Sequence, residues 1–218
     1  MIEEILPPAV AAVETFEDLT DVTLFPAEEA VLTQAVDRRR LEFATGRACA
    51  RAALAQLGLP PVAIVPGPKR APQWPPGVTG SITHCHGYRA AAVARVEDVV
   101  SLGLDAEPDG PLPDGVGDVI TLEEERGELA RLAAEHPGVH WDRLLFCAKE
   151  AVYKAWFPLT GRWLDFKEAS ITFDPATTSF SARLLVPGPL LGDRELSTFP
   201  GRWLARRNLL ITAIALLP

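Results

Sequence analysis

The sequence predicts an α/β (α+β) protein built from two similar lobes. Helical spacing of apolar residues occurs in both halves of the chain, and short apolar runs bounded by glycine or proline accompany it. The length of 218 residues suits one large domain or two small ones. A hydrophobic content of 48% with 23% charged residues is ordinary for a globular protein with a substantial core. We therefore expect each lobe to combine helices with several strands.

In the N-terminal half, one long helix precedes a series of short strands. Glycine and proline after residue 57 predict the end of that helix, and the segment "PGPKRAPQWPPG" predicts an irregular loop. In chain order, the predicted elements are a helix over 27–57, a strand at 62–65, the loop at 66–77, strands at 80–84 and 90–95, and a buried strand from Val99 that ends at Asp105.

In the C-terminal half, two helices precede four strands. Apolar residues recur at helical spacing along the second helix and predict its buried face, formed by Leu144, Leu145, Ala148, Val152 and Ala155. In chain order, the predicted elements are helices at 121–135 and 141–157 and strands near 169–173, 179–186, 200–206 and 208–216. We place the boundary after residue 104, which gives an N-terminal lobe over 1–104 and a C-terminal lobe over 105–218.

Composition argues against several classes of protein. The formal net charge of −8 is opposite in sign to that of a general nucleic-acid binder. No apolar run is long enough to cross a bilayer, and the acidic start "MIEEILPPAV" differs from the basic start of a signal peptide. Cys49, Cys85 and Cys147 lack paired spacing, which favours reduced thiols. We expect a cytoplasmic protein without nucleic-acid or membrane partners.

The charges are unevenly distributed along the chain. Residues 38–51 carry five arginines against one glutamate, whereas residues 105–128 carry nine acidic residues against one arginine. The first segment is suited to an anion and the second to a cation. A phosphorylated substrate that binds together with a metal would need both.

Two pairs of charged residues stand out within this distribution. Asp105 and Glu107 alternate at the end of an apolar strand, so they point to one side, where like charges repel unless a cation lies between them. Glu150 and Lys154 are four residues apart on a helix and share a side. Taken alone, the pairs are typical of solvated strand-end charges and of a surface ion pair. Their occurrence on one chain favours a functional site.

Two motifs carry a family resemblance. The segment "GLDAEP" followed by "FCAKEAVYKAW" resembles the G-x-D-x-E and F-x-x-K-E-x-x-x-K signatures of the 4′-phosphopantetheinyl transferases. Three further segments, "RRRLEFATGRACARAAL", "KRAPQWPPGVTGSITH" and "WDRLLFCAKE", are similar to the long, surfactin- and enterobactin-type group and to its actinobacterial members in particular. Together the matches cover residues 38 to about 165.

The resemblance implies an enzyme that moves the phosphopantetheine arm of coenzyme A to a serine of an apo acyl or peptidyl carrier protein, releasing adenosine 3′,5′-bisphosphate. The implied carriers serve polyketide, nonribosomal peptide, siderophore or fatty-acid synthesis. The implied cofactor is Mg²⁺, with Mn²⁺ as a substitute. The resemblance also implies a monomer whose two lobes are related by a pseudo-twofold axis, with the active site at their interface.

By the same resemblance, Asp105, Glu107 and Glu150 are the metal ligands, since Mg²⁺ binds carboxylate oxygens and substrate phosphates. Glu150 and Lys154 are the implied catalytic residues. Glu150 would act as general base for the serine, directly or through a water, and Lys154 would stabilise negative charge on the pyrophosphate. Lys154 also matches a motif position that contacts coenzyme A; Lys149 matches one too, but we expect its side chain to point elsewhere on the helix.

The remaining implied contacts to coenzyme A are Arg39, Arg47, Lys69, Arg70, Ser81 and His84. Helical spacing alone places Arg40, Arg47 and Arg51 on one face, so the two lines of reasoning agree on Arg47 and leave its partner open. A zinc site at the neighbouring His84, Cys85 and His86 is the alternative for that segment, although adjacent strand residues point in opposite directions.

The carrier protein requires a docking surface beside the metal. Carriers are typically acidic, and this chain is acidic too, so we expect contact through exposed apolar residues. The loop at 108–119 and the start of the next helix are the candidates, with Leu112, Val116, Val119, Ile120 and Leu122; the alternative is that these residues form local core. A metal-dependent phosphohydrolase and a non-catalytic binding protein remain alternative functions.

Overall fold

Two antiparallel sheets, each covered by one helix of 20 residues, form the protein in a computed structural model that describes residues 1–218. The α-helices are α1 (Pro26–Val31), α2 (Asp37–Gln56), α3 (Val116–Ile120), α4 (Glu123–Glu135) and α5 (Trp141–Thr160). The strands are β1 (Ala11–Thr15), β2 (Val78–Cys85), β3 (Tyr88–Arg95), β4 (Ser101–Pro108), β5 (Ala169–Asp174), β6 (Ser179–Leu184), β7 (Leu190–Leu191), β8 (Arg194–Glu195), β9 (Thr198–Arg206) and β10 (Leu209–Leu216).

The N-terminal lobe is a three-stranded sheet in the order β1-β3-β2, with α2 packed on one face. Its central strand, β3, has small residues that are buried on both faces. Ala91 and Val93 face the core under α2, because alternate strand residues point to opposite sides. The alternate residues Ala90, Ala92 and Ala94 face the other side and join a second core that contains Leu104 of β4 and Ile211 of β10. The two lobes therefore share apolar surface rather than only touching at a linker.

The C-terminal lobe is a five-stranded sheet in the order β4-β10-β9-β6-β5, and β7 and β8 form a separate small hairpin. Helix α5 packs across β4 and β10. The predicted buried face of this helix is confirmed, since Leu144, Leu145, Ala148, Val152 and Ala155 are all fully buried. None of the helices combines the length and apolarity that crossing a membrane requires.

Two hydroxyl groups join β2 to β4 at the interface between the lobes. The Ser81 Oγ accepts a hydrogen bond from the backbone N–H of Leu104 at 3.0 Å, and the Thr83 Oγ1 accepts one from Ala106 at 3.0 Å. The opposite edge of β4 pairs with β10. Two alternate residues of β4, Leu104 and Ala106, thus have their backbone N–H groups satisfied by side chains from the other lobe.

The predicted elements are largely confirmed. In the C-terminal lobe, α3 and the β7–β8 hairpin had no prediction, and the N-terminal lobe shows three differences. The helix expected at 27–57 is two helices, because a turn after Leu32 separates α1 from α2 and the Leu32 carbonyl accepts hydrogen bonds from Ala35 and from the Arg40 guanidinium. The segment 62–65 forms no strand, and only an isolated bridge between Pro66 and Pro72 lies nearby. Strand β1 has no sequence prediction, since its alanine-rich start lacks a clear alternation.

The lobe boundary expected after residue 104 needs correction. Strand β4 crosses that position without a break and pairs with β10 from Ser101 to Pro108. The sheet pairing therefore places the division in the turn between Arg95 and Ser101. Each lobe does combine one long helix with an antiparallel sheet, but the sheets have three and five strands, and the pseudo-twofold relation stays a prediction.

The contact between α5 and β4 depends on Gly103. A Cβ atom built at this position would lie 1.9 Å from the carbonyl oxygen of Ala151 and 2.9 Å from the backbone nitrogen of Ala155. Two residues earlier, the Ser101 hydroxyl donates a 2.7 Å hydrogen bond to the carbonyl of Ala155. The strand and the helix backbone are therefore in direct contact, which only glycine permits.

We expect Gly103→Ala to lower the free energy of unfolding by about 3 kcal/mol, because backbone atoms of α5 cannot yield to the added methyl group as a flexible side chain would. Urea denaturation followed by circular dichroism measures the change. The matched control is Gly127→Ala in α4, where an added Cβ meets nothing within 4 Å. The free energy of unfolding of that control should equal the wild-type value or exceed it by up to about 1 kcal/mol. Equal stability of the two variants would contradict the close contact.

Candidate active site

Asp105 is the centre of a charged cluster at the end of β4. Its side chain faces α5, where Oδ1 accepts a 2.7 Å hydrogen bond from Lys154 Nζ, and the Thr83 hydroxyl from the other lobe donates to the same oxygen at 3.3 Å. The second oxygen, Oδ2, is buried and has no hydrogen-bond partner. A buried carboxylate oxygen without a partner is costly, so this atom is poised for a ligand.

Glu107 lies two residues further along β4, on the same side as Asp105, as the alternation predicted. Arg143 Nη1 donates a 3.1 Å hydrogen bond to its Oε2. Burial, followed by the negative charge of Asp105, raises the pKa of Glu107 to about 7, although Arg143 acts in the opposite direction. The surroundings of Glu107 therefore disfavour the ionised form of its carboxyl group.

Glu150 and Lys154 reach the cluster from one side of α5. Burial, and then the charge of Asp105, raises the pKa of Glu150. Burial acts to lower the pKa of Lys154, but the charge of Asp105 and their hydrogen bond outweigh it and leave that pKa raised. Lys154 Nζ also donates to the Leu104 carbonyl at 3.0 Å. The lysine therefore stays protonated between the end of β4 and the helix.

The three predicted metal ligands share this neighbourhood without forming a closed coordination site. No group of three or more His, Cys, Asp or Glu side chains is arranged to hold a metal ion. Asp105 nevertheless raises the pKa of both Glu107 and Glu150, which shows that its charge acts on each of them. Asp105 therefore interacts electrostatically with both glutamates, and their role as metal ligands stays a prediction.

Two of the predicted coenzyme A contacts meet beside this cluster. Arg39, from the first turn of α2, donates a 3.0 Å hydrogen bond from Nη1 to Nε2 of His84, near the end of β2. Burial, followed by the charge of Arg39, lowers the pKa of His84, in agreement with an unprotonated acceptor nitrogen. The two side chains therefore form one polar site at the N-terminal end of α2.

Arg47 lies deeper on α2 than the other arginines. Its guanidinium stacks on the Phe43 ring at 3.8 Å, and its Nε donates to the Ile64 carbonyl at 2.9 Å. Burial lowers its pKa to about 10, and its two terminal amino groups make no hydrogen bond within the protein. Arg40 and Arg51 are paired with Glu29 and Glu28, so the shared face expected for Arg40, Arg47 and Arg51 is divided by local ion pairs.

Two of the predicted coenzyme A contacts have structural roles within the protein. Lys149 is buried, and its Nζ donates 2.8 Å hydrogen bonds to Glu125 and to the carbonyls of Ile120 and Phe166, which leaves no donor for a ligand. Ser81 is buried, and its oxygen accepts from Leu104 of β4. A contact of either side chain with coenzyme A stays a prediction. Lys149 fixes the surroundings of Glu150, and Ser81 fixes the lobe interface.

Lys69 and Arg70 are exposed at the tip of the loop that follows α2. Both have left-handed backbone conformations, with φ of 53° and 64°. Lys69 Nζ lies 5.7 Å from the centre of the Trp163 ring, which belongs to the other lobe. Trp163 and Glu150 line one pocket, together with Tyr153, whose buried hydroxyl has no hydrogen-bond partner. The loop therefore reaches the mouth of a pocket that begins at Glu150.

Sequence reasoning missed three residues of this site. Thr83 lies two residues after Ser81 on β2, so strand alternation predicts that both face β4. Arg143 lies seven residues before Glu150, which is two helical turns on the same face. Tyr153 had no comparable signal, because an aromatic residue on an apolar helix is usually core.

Comparison with known proteins agrees with this arrangement. The protein-family model described as "4'-phosphopantetheinyl transferase N-terminal domain" matches residues 27–94. The family model of the "4'-phosphopantetheinyl transferase superfamily" matches residues 101–200. These ranges lie on the two sides of the turn that divides the lobes.

Three relatives match over nearly the whole chain. The 4′-phosphopantetheinyl transferase Svp of Streptomyces mobaraensis is 56% identical, with 99% of this chain and 89% of Svp covered. Npt of Nocardia iowensis is 50% identical, with 99% of each chain covered. PptT of Mycobacterium tuberculosis is 47% identical, with 99% of this chain and 98% of PptT covered. The chain therefore belongs to the 4′-phosphopantetheinyl transferase superfamily and is an enzyme of its actinobacterial type.

Proposed function

We propose that this transferase moves the 4′-phosphopantetheine arm of coenzyme A to the serine of an apo carrier protein, that Mg²⁺ assists, and that adenosine 3′,5′-bisphosphate leaves. The observation that carries the proposal is the buried, partnerless Oδ2 of Asp105 next to Lys154, with Glu107 and Glu150 nearby. The serine oxygen forms a bond to the phosphorus of the arm, and the pyrophosphate bond to the bisphosphate breaks. Carriers of polyketide, nonribosomal peptide and siderophore synthesis are the proposed substrates.

The residues present fit a hard divalent cation. Asp105, Glu107 and Glu150 offer only carboxylate oxygens, which are the ligands that Mg²⁺ prefers, and Asp105 Oδ2 has no competing partner. A cation would also relieve the repulsion that raises the pKa of Glu107 and of Glu150. When bound, it would supply charge neutralisation to the pyrophosphate of coenzyme A. Mn²⁺, a cation with similar ligand preferences, is the proposed substitute.

Lys154 and Glu150 are the proposed catalytic residues. Two hydrogen bonds, to Asp105 and to the Leu104 carbonyl, fix the Lys154 ammonium and leave one N–H for a pyrophosphate oxygen. Glu150 makes no hydrogen bond and no ion pair within the protein, so its carboxylate is free to accept the proton of the carrier serine.

We propose that the 3′-phosphate and the pantetheine arm of coenzyme A bind at opposite ends of this cluster. Arg39, His84 and the free amino groups of Arg47 would bind the 3′-phosphate, because a guanidinium can donate two parallel hydrogen bonds to phosphate oxygens. The pocket that begins at Glu150 has mostly apolar walls and would receive the pantetheine arm. Lys69 lies beside Trp163 at the mouth of that pocket, where it and the adjacent Arg70 would contact the phosphates.

The carrier-docking surface is smaller than the sequence predicted. Ile120 is buried, and Leu112 and Val116 pack against the C-terminal core, so for these residues the alternative of local core is supported. Val119 is 62% exposed at the end of α3, and Leu122 is only partly buried. We therefore propose Val119 as the apolar contact for the carrier on this loop.

Mass spectrometry of an apo carrier protein incubated with the enzyme, coenzyme A and Mg²⁺ tests the reaction. We expect the mass of one phosphopantetheine to be added to the carrier serine. Incubation without the carrier separates the two alternatives. A phosphohydrolase would turn over coenzyme A in that reaction, and a binding protein would modify no carrier under any condition.

Asp105→Asn should abolish transfer almost completely while the protein stays folded, because the neutral amide loses the negative charge that binds the cation and pairs with Lys154. The same variant should lose the increase in melting temperature that Mg²⁺ gives to the metal-free wild type. The matched control is Glu97→Gln, an exposed carboxylate without a hydrogen-bond partner, which should retain both properties. Wild-type transfer by Asp105→Asn at saturating Mg²⁺ would remove Asp105 from the site.

Arg39→Ala or His84→Ala should raise the KM for coenzyme A about tenfold, in keeping with the loss of a charge-assisted hydrogen bond. The KM for dephospho-coenzyme A should change little, since that substrate lacks the 3′-phosphate. Arg38→Ala is the matched control, because Arg38 lies in the same helical turn and, like Arg39, pairs with Glu42 but does not bind His84. Equal penalties on the two substrates would show that Arg39 and His84 act elsewhere.

Val119→Asp should raise the KM for the carrier several-fold, because it adds negative charge and removes apolar surface where an acidic partner would dock. The KM for coenzyme A and the melting temperature should stay near those of the wild type. Val31→Asp, at another exposed valine, on α1, is the control for surface charge. Early melting of Val119→Asp would instead place Val119 in the core.

A further inference from the structure

We propose that Arg143 is a positioning residue that holds the Glu107 carboxylate in place for the divalent cation, a role that rests on the proposed function of Asp105, Glu107 and Glu150 as its ligands. Arg143 lies in the first turn of α5. It is not one of the predicted site residues. It lies in the family-like segment "WDRLLFCAKE" but precedes the F-x-x-K-E-x-x-x-K signature that carries Glu150 and Lys154.

The Arg143 guanidinium is bound at three points. Nη1 donates to Glu107 Oε2 at 3.1 Å, Nε donates to the Gly110 carbonyl at 3.3 Å, and Nη2 donates to the Pro111 carbonyl at 2.6 Å. The side chain is 18% exposed and the Glu107 side chain 20%, so water competes only weakly for these contacts. The planar group therefore has a fixed orientation, and one oxygen of Glu107 is fixed with it.

This orientation matters because Asp105 repels Glu107. The negative charge of Asp105 lies two residues away on the same side of β4. Without a donor on Oε2, the glutamate side chain would rotate away from that charge. Arg143 binds Oε2 and leaves Oε1 without a protein hydrogen bond, which makes Oε1 the atom available to a cation. Groups that orient metal ligands in this way contribute strongly to metal affinity.

Only an arginine can make this set of contacts. Its donors lie in one rigid plane and point in different directions, whereas the lysine ammonium is a single compact group. The carboxylate and the two carbonyls accept from three different nitrogens of Arg143. A lysine at this position would keep the positive charge but lose the simultaneous contacts.

Two neighbours of Arg143 also bind the loop that follows β4 and contains Gly110 and Pro111, and neither contacts Glu107. His140 Nδ1 lies 2.8 Å from Asp109 Oδ1, and the His140 backbone N–H donates to that oxygen. Asp142 accepts a hydrogen bond from the backbone N–H of Leu112 at 3.3 Å. His140 is therefore a matched control that separates anchoring of the loop from orientation of Glu107.

Charge and orientation predict effects of opposite sign. A positive charge beside a cation site repels the cation, so removal of the Arg143 charge alone would tighten metal binding. A hydrogen bond that orients a ligand strengthens metal binding, so removal of the contact would weaken it. The direction of the change in affinity therefore identifies the role of Arg143.

The experiment is a titration of Mn²⁺ alone into the full-length, metal-free protein without coenzyme A, followed by the electron paramagnetic resonance signal of the free ion. We expect Arg143→Ala to raise the Kd for Mn²⁺ about 10- to 100-fold. Arg143→Lys should also raise the Kd for Mn²⁺. This variant provides the test if Arg143→Ala does not fold. His140→Ala should keep the wild-type Kd, although its melting temperature falls as that of Arg143→Ala does.

A Kd for Arg143→Ala equal to or below that of the wild type would overturn the role, and so would a wild-type Kd for Arg143→Lys. Equal weakening in His140→Ala would also overturn it, because anchoring of the loop would then explain the effect. Glu107→Gln and Asp105→Asn test the site itself. If neither raises the Kd for Mn²⁺, the proposed metal site fails, and the role of Arg143 fails with it.

Discussion

The direct contact between Gly103 and the backbone of α5 is the constraint on which the active site depends. An added Cβ would lie 1.9 Å from the Ala151 carbonyl, so the helix and the strand are closer than any larger residue allows. Glu150 and Lys154 extend from the same stretch of the helix, and Asp105 follows Gly103 by two residues. The short distance between strand and helix therefore allows Lys154 Nζ to reach both Asp105 and the Leu104 carbonyl.

Strand β4 serves two purposes because its side chains alternate. Leu102, Leu104 and Ala106 fill the core between the lobes, whereas Gly103 and Asp105 face α5. The backbone amides of Leu104 and Ala106 are bound by hydroxyls from the N-terminal lobe. The lobe interface and the acidic cluster are thus two sides of one strand, and disruption of either side would displace the other.

Local periodicity predicted the parts of the site that lie within one strand or one helix. The side shared by Asp105 and Glu107, the side shared by Glu150 and Lys154, and the apolar face of α5 all follow from spacing along the chain. The family motifs added that the strand and the helix belong to one site. Neither source predicted the partners of Lys149 and Ser81, because Glu125, Phe166 and Leu104 are far from them in sequence and compete with a ligand for the same atoms.

The three carboxylates differ in what holds them before a cation arrives. Lys154 neutralises Asp105 at 2.7 Å, and Arg143 partly neutralises Glu107 at 3.1 Å. Glu150 has no such partner, so its position is the least determined of the three, and its burial and the charge of Asp105 raise its pKa. Two cationic side chains therefore hold two carboxylates in a fixed arrangement against their mutual repulsion. The third carboxylate is free to adjust, which is what a residue proposed both to bind a metal and to accept a proton requires.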